Sequence, residues 1–276
     1  GEFPLIYGEK GITNFNIEGS INLSPLKSIK AGVASNAVID KAVAVLDKDQ
    51  AFIDSLKNVD FEYDLKVNDD EMEFIVFGKS AHDCTPELGV NAGLILIQYV
   101  SEFYNLKALQ NICSLFSKPD GSSMDAYFYG PLLKATTYNV GLMEYKNKEF
   151  SMVVNFRYPE NVNPVEVMES IGKKTGSFEV IPSGHYSEPL AFDPQSDMVQ
   201  KLLNVYQSES GDYETEIMTI GGGTYAKEAK NTIALGSAFP HINCRIHEPD
   251  EFITLHDFKL SMAIYAHAIV ALGKEL

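Results

Sequence analysis

Cysteine is scarce in this chain: Cys84, Cys113 and Cys244 are the three in 276 residues. The number is odd and no CxxC spacing occurs, which excludes a disulfide framework or a thiolate zinc site and points to a reducing, cytoplasmic compartment. Basic side chains are few, 22 against 38 acidic ones, leaving a formal net charge of −16. That balance repels phosphate backbones and anionic lipid, so neither nucleic acid nor a membrane surface is expected as a partner. The longest apolar run, Met262 to Leu272, is interrupted by His267. It falls short of the roughly 20 residues of a membrane-spanning helix and is expected to be a buried one. The usual metal-binding motifs are missing as well. There is no HExxH, no HxD and no Glu-Glu pair, and the Asp residues directly after His82 and His256 stand at a spacing that suits no ordinary chelate. The chain opens Gly1-Glu2-Phe3-Pro4 without an initiator Met, a charged leader or an apolar signal segment, so a truncated chain is expected.

What is present suffices for folding. Hydrophobic residues make up 45% of the chain and aromatic ones 11%, enough for one sizeable core or two smaller ones. Residues 12 to 22 alternate as a strand, the pattern turns helical around Asn36, and Asp47 to Asn58 reads as a short amphipathic helix. Phe61, Tyr63, Leu65 and Val67 share one face of a strand, and Asn68-Asp69-Asp70 turns it into a second strand through Met72, Phe74 and Val76. Beyond Pro86 a helix runs through Leu94, Ile97, Val100 and Phe103, and another follows near Leu109 to Phe116. A second hairpin joins Gly141–Tyr145 to Phe150–Tyr158, Pro164 opens a helix, and Phe178–Ile181 closes the unit. Strand, helix, two strands, helix and strand make the βαββαβ order of a ferredoxin-like domain, present here in more than one partial copy. After Pro189 the rhythm changes to α/β. A helical stripe runs from Met198 to Tyr206, short strands fall at Ile217–Ile220 and Asn231–Gly236, and a last helix starts near Thr254, which has Asp257 at capping-box separation.

Several residues have chemistry to offer. His82 lies on a loop after a strand and a glycine, where it is either an ordinary loop histidine or a donor to a developing oxyanion. Arg157 ends a strand whose alternation buries Phe150, Met152, Val154 and Phe156. That leaves Asn155 and Arg157 on the other face, where the guanidinium is a surface ion-pair partner or a clamp for a carboxylate. Gly221-Gly222-Gly223 is a tight turn or a backbone cradle for an anion, and it lacks the third-glycine spacing of a dinucleotide fingerprint. His247 is a candidate metal ligand, although one imidazole is not a zinc site. Cys84 beside His82 admits a thiol nucleophile, at a spacing that seldom gives the needed geometry.

Together these stretches resemble a known family. Phe3-Pro4-Leu5-Ile6-Tyr7-Gly8-Glu9-Lys10-Gly11, Gly78-Lys79-Ser80-Ala81-His82, Gly89-Val90-Asn91-Ala92, Asn155-Phe156-Arg157-Tyr158-Pro159, Gly221-Gly222-Gly223-Thr224-Tyr225-Ala226 and His247-Glu248 occur in the order seen in PepV-type dipeptidases. These belong to the zinc metallopeptidase superfamily that also holds carnosinases, aminoacylases and succinyl-diaminopimelate desuccinylases. The resemblance implies an α/β fold class: a split α/β catalytic domain with a ferredoxin-like lid inserted between its halves. Residues 1–11 would end the first catalytic segment, residues 12–190 would form the lid, and residues 191–276 the second segment. The N-terminal half of the catalytic domain, with most ligands of a pair of zinc (or manganese) ions, would be absent. By the same resemblance His82 stabilises the oxyanion, Asn36 touches the substrate backbone and Arg157 clamps the carboxylate of a dipeptide. Gly222, Gly223 and Thr224 would line the carboxylate end, and His247 would hold one zinc. The implied activity is metal-dependent hydrolysis of dipeptides by the parent enzyme, with this chain inactive alone. The alternative is a non-catalytic peptide-binding or assembly module, with a homo-oligomer formed through the lid or an exposed sheet.

Overall fold

The computed structural model describes residues 1–245 and 249–273. Along the chain, β1 (Ile6–Glu9), β2 (Gly11–Ser20), β3 (Leu26–Ala31) and β4 (Lys41–Asp47) precede a short helix, α1 (Gln50–Ser55), and the hairpin β5 (Tyr63–Val67) and β6 (Glu71–Phe77). Helices α2 (Ala92–Phe103) and α3 (Lys107–Leu115) lead to a small ribbon, β7 (Tyr129–Gly130) and β8 (Lys134–Ala135). The hairpin β9 (Thr137–Lys146) and β10 (Glu149–Tyr158), helix α4 (Pro164–Gly172) and β11 (Glu179–Ser187) follow. Then come β12 (Leu190–Ala191), α5 (Asp197–Ser210), β13 (Met218–Ile220) and α6 (Leu255–Gly273). The chain divides into two compact units, one of Ile12–Gly130 with Lys134–Ser187 and one of Gly1–Gly11, Pro131–Leu133 and Glu188–Leu276.

The first unit holds an eight-stranded sheet in the order β11-β2-β10-β9-β3-β4-β6-β5. Its first four strands form one ferredoxin-like copy. A βαβ crossover joins parallel strands one place apart, and the hairpin β9–β10 puts β10 in the gap between β2 and β9, as β2 fills the gap between β10 and β11. The remaining four repeat the same arrangement, with β3 in the place of the fourth strand although it comes first in the chain. β3 pairs with β9 and so fuses the copies into one sheet. The duplication expected from the strand order is present, and the whole second copy is inserted in the first crossover of the other.

One face of this sheet carries the core. Phe15, Ile17, Phe74, Phe150, Met152, Val154, Phe156 and Tyr158 pack with Leu96, Ile97, Val100, Leu109 and Ile112 of α2 and α3 and with Val167, Met168 and Ile171 of α4. Helix starts follow local chemistry: Asn91 accepts from the Leu94 amide ahead of α2, and Asn163 from Val165 ahead of α4, where Pro164 has no N–H to lose. The opposite face is polar where Asn14, Asn139, Asn155 and Arg157 sit.

The smaller unit places β1 between β12 (antiparallel) and β13 (parallel). Its core gathers Phe3, Leu5, Val199, Leu202, Tyr206, Phe239, Ile264 and Ala268, with the Phe3 ring 4.5 Å from that of Phe239 and 5.5 Å from that of Tyr206.

Three local expectations are corrected. Asn36 lies in a turn and the following residues form strand β4, not a helix, because β3 and β6 hydrogen-bond to both sides of β4. Asn231–Gly236 makes a single bridge, at Ala234 to Ile6, because Asn231 (φ 55°) and Gly236 (φ 66°) turn the backbone left-handed at both ends. The run Met262–Leu272 is half buried: Ile264 and Ala268 enter the core, whereas Met262, Ile269, Val270 and Leu272 are exposed. Among the described residues no helix is long and apolar enough to cross a membrane. At the start of α6, Thr254 accepts from the Asp257 amide at 3.0 Å, one half of a capping box, while the buried Asp257 carboxylate sits 3.2 Å from His241 Nε2.

Candidate functional site

In the first unit, two segments distant in sequence are stitched together over the polar face of the sheet. After β6, Lys79 and Val90 exchange backbone hydrogen bonds of 2.9 Å and close the loop between them. Gly78 permits this closure, since a Cβ there would stand 2.1 Å from the Val90 carbonyl. The loop then pairs with the turn before β4: Val38 N–H donates to the Ala81 carbonyl at 2.9 Å, and Asp83 N–H to the Asn36 carbonyl at 3.3 Å. From β9, the Asn139 amide donates to the carbonyls of Ser35 (2.9 Å) and Ala37 (3.0 Å). Gly141 lets that turn approach, because a Cβ there would be 2.4 Å from the Ser35 carbonyl.

This stitching brings Asn36, His82 and Arg157 into one neighbourhood. Asn36 is exposed in its turn, and the His82 side chain is 50% exposed. Arg157 is 5% exposed, so the face that alternation left open is covered. The residue at the centre is Asp83, fully buried, whose Oδ2 receives Arg157 Nη2 at 2.5 Å. Arg157 Nε donates to Asn155 Oδ1 at 3.1 Å, and the Asn155 amide donates to Asn14 Oδ1 at 2.8 Å. A buried pair of opposite charges held this way is geometrically demanding, and removing either partner strands the other. The second oxygen, Asp83 Oδ1, lies 2.7 Å from His82 Nδ1 but has no aligned hydrogen bond. The contact is therefore electrostatic and acts as an ion pair when the imidazole is protonated. Cys84 meets His82 through its backbone, whose N–H donates to Nδ1 at 3.3 Å. That is not the thiol–imidazole contact that a cysteine nucleophile requires.

The second unit contains the triple glycine. Gly221-Gly222-Gly223 leaves β13 and delivers Thr224, whose N–H donates to Glu9 Oε2 at 2.8 Å and whose hydroxyl donates to Glu9 Oε1 at 2.5 Å. Thr224 Oγ1 in turn accepts from the Ala226 amide at 3.1 Å and caps a short 3-10 turn, Tyr225–Glu228. Glu9 is fully buried at the end of β1, so the carboxylate anchors the loop to the sheet. A Cβ on Gly222 would meet Ile220 Cδ1 at 3.5 Å, ordinary contact, so packing does not demand a glycine there. A cavity of about 790 Å³ opens beside the loop, lined by Gly223, Thr224, Tyr225, Glu228, Glu251 and Phe252 among others. Tyr225 is 92% exposed. His247 lies outside the described residues.

Sequence reasoning singled out neither Asp83 as a partner of Arg157 nor Glu9 as the anchor of Thr224. A buried acid looks the same as an exposed one in a pattern of apolar residues. The one local hint was the Asp directly after His82. Among the described residues the one group of potential metal ligands is His82, Asp83 and Cys84, whose ligand atoms lie within 4.8 Å of one another. It supplies a single carboxylate, one oxygen of which is committed to Arg157, and so does not fit a pair of zinc ions.

Comparison with known proteins shows what the chain is similar to. Over 297 residues, 99% of this chain, it is 30% identical to the protein named Putative dipeptidase SAR1836 of Staphylococcus aureus strain MRSA252, of which it covers 63%. It is 30% identical over 295 residues to the protein named Putative dipeptidase SH1171 of Staphylococcus haemolyticus, again covering 99% of this chain and 63% of the other. The chain is a partial relative of these dipeptidases. The resemblance drawn from the motifs is thus borne out along nearly the whole chain, which spans 63% of the length of these dipeptidase relatives. No family model matches the chain. Among solved structures, the aminoacylhistidine dipeptidase from Vibrio alginolyticus aligns with a TM-score of 0.47 at 12% identity, covering 100% of this chain and 63% of the other.

Proposed function

We propose that this chain carries the substrate-holding lid (residues 12–190) and the second catalytic segment (residues 191–276) of a metal-dependent dipeptidase, and that it is inactive alone. The observation that carries the reading is the convergence of Asn36, His82 and Arg157 on Asp83 in a relative of dipeptidases. When water attacks a peptide carbonyl, negative charge gathers on its oxygen, and a hydrogen bond aimed at that position lowers the barrier. The half-exposed His82 imidazole is suited to donate it. Asn36, exposed in its turn, has an amide to offer the peptide backbone. Arg157 has the planar fork suited to a carboxylate, and it is paired in this structure with that of Asp83. In the other unit, Gly222 and Gly223 have backbone N–H groups to offer, while Thr224, whose N–H is held by Glu9, lines the open cavity with Gly223. Zinc would supply the activated water, with His247 as one of its ligands, but the described residues do not by themselves fit a zinc pair.

The test uses the purified chain and the full open reading frame that contains it. The chain is expected to bind less than one tight zinc per molecule by elemental analysis and to leave dipeptides such as carnosine intact. The full protein should cleave dipeptides and lose that activity to chelators, and His82→Ala should lower its kcat by about 10²–10³-fold. Two metals on the chain together with chelator-sensitive turnover would overturn its inactivity. A full protein that binds dipeptides without cleaving them would favour the alternative, a non-catalytic binding module.

A further inference from the structure

The guanidinium proposed to clamp a substrate carboxylate already holds one. Asp83 Oδ2 sits 2.5 Å from Arg157 Nη2, the Asp83 side chain has no exposure and that of Arg157 has 6%. The contact is supported from several sides. Asp83 is fixed by its own amide on the Asn36 carbonyl, and Arg157 by Nε on Asn155, itself tied to Asn14. The carboxylate is thus part of the stitched loop and not a mobile surface group that drifted onto an arginine.

We propose that Asp83 is a specificity-determining residue: its carboxylate occupies the place on Arg157 that the C-terminal carboxylate of a peptide would take. The inference rests on the peptidase reading above and adds the substrate class. An incoming carboxylate must compete with a resident one that is covalently positioned and needs no ordering on binding. Substrate charge at that end then gains little, because taking Arg157 from Asp83 leaves Asp83 buried and unpaired. The chain therefore accepts peptides with a neutral C-terminal end, such as amides, about as readily as free acids. The carboxylate oxygen without an aligned hydrogen bond, Asp83 Oδ1, fits this role: the acid is retained although only one of its oxygens is well bonded.

The experiment is calorimetric titration of the chain at physiological salt with alanyl-leucine and with alanyl-leucine amide, in native form and as Asp83→Asn. Salt screens the long-range pull of the acidic surface on the amide's extra positive charge, and comparing ratios between the two proteins cancels the remainder. The native chain should bind the two peptides within about threefold of each other. Asp83→Asn removes the resident negative charge beside Arg157, and the preference for the free acid should rise by about tenfold or more, the scale of one charge-assisted hydrogen bond. A native preference for the free acid of about tenfold overturns the inference and leaves the peptidase reading intact, as does a folded Asp83→Asn with an unchanged ratio. If neither peptide binds the native chain, the peptide-binding reading fails and the inference with it. Should Asp83→Asn not fold, the native ratio alone decides.

Discussion

Glu9 offers a sharp test of how the glycine loop is held. Its buried carboxylate takes two hydrogen bonds from Thr224, one from the amide and one from the hydroxyl. Glu9→Gln keeps the shape: the amide oxygen can still accept the Thr224 N–H, and the new NH₂ can donate to the hydroxyl, which reverses its role. What disappears is charge assistance, about 1 kcal/mol. Glu9→Ala removes both acceptors: the half-buried Thr224 N–H and hydroxyl each lose the bond they donate, the hydroxyl keeping the one it accepts from Ala226, for a local loss of about 3 kcal/mol. Local opening is read by hydrogen exchange at the Thr224 amide, where about 1.4 kcal/mol corresponds to a factor of ten. Glu9→Ala should speed that exchange by about a hundredfold, and Glu9→Gln by less than about tenfold. An acceleration by Ala of under threefold, or a Gln variant as fast as Ala, would show that the loop is held by something other than this carboxylate.

The other predictions concern packing, reactivity, pH and surface. Phe52 is fully buried among Phe74, Tyr99, Phe103 and Tyr104, with ring centroids 5.2 to 5.6 Å away, and Phe52→Ala should cost about 3–5 kcal/mol in urea unfolding; a loss below about 1 kcal/mol would contradict the packing. Burial, aided by Glu102, pushes the Cys113 thiol up to about 12, so iodoacetamide at pH 8 should leave it unmodified until denaturant is added, and equal labelling rates would refute this. Hydrogen bonds from the Thr215 and Tyr206 hydroxyls lower Asp212 from 3.8 to about 2. Its folded pKa lies below the unfolded one, so its contribution to stability is complete above 3.8 and is lost as pH falls toward about 2. Asp212→Asn should flatten that part of the acid-unfolding profile, and an unchanged profile would remove Asp212 as its cause. On α6, Leu255, Phe258, Met262, Ile269 and Val270 are exposed, so the chain should self-associate in sedimentation experiments, and Met262→Glu with Ile269→Glu should shift it toward monomer. A native monomer at high concentration would refute that.

Much of the fold was legible where periodicity had one cause. The alternation of β10, the turn at Asn68 and the helix opened by Pro164 all stand where the sequence put them. The stretch from Ala37 to Leu46 misled because alanine favours helices, and Ala42 and Ala44 gave it a helical cast. In the fold, Ala42, Ala44 and Leu46 are the buried face of β4, and two neighbouring strands override the intrinsic preference. α6 misled differently. Its apolar residues are spread around the helix, so the pattern cannot say which of them find a partner.

The site was legible as a set of residue types and not as a set of partners. A strand's period shows that Asn155 and Arg157 share the face away from Phe156, but whether that face meets water depends on what lies over it. Here the cover comes from a loop whose Asp83 is 74 positions from Arg157, and no local pattern encodes such a pairing. Glu9 and Thr224 are 215 positions apart and equally silent. In both cases the unforeseen residue is a buried acid that fixes a group expected to meet substrate. Burying a carboxylate is costly unless it is paired and hydrogen-bonded, so each acid requires its basic or N–H partner to stay in place. The loops that carry His82 and Thr224 are thereby tied to the sheets beneath them, although nothing in their own sequence is regular. Precision at these positions is supplied by long-range charge and hydrogen bonding in place of secondary structure, and this is why the motifs could be recognised before their geometry could be reasoned out.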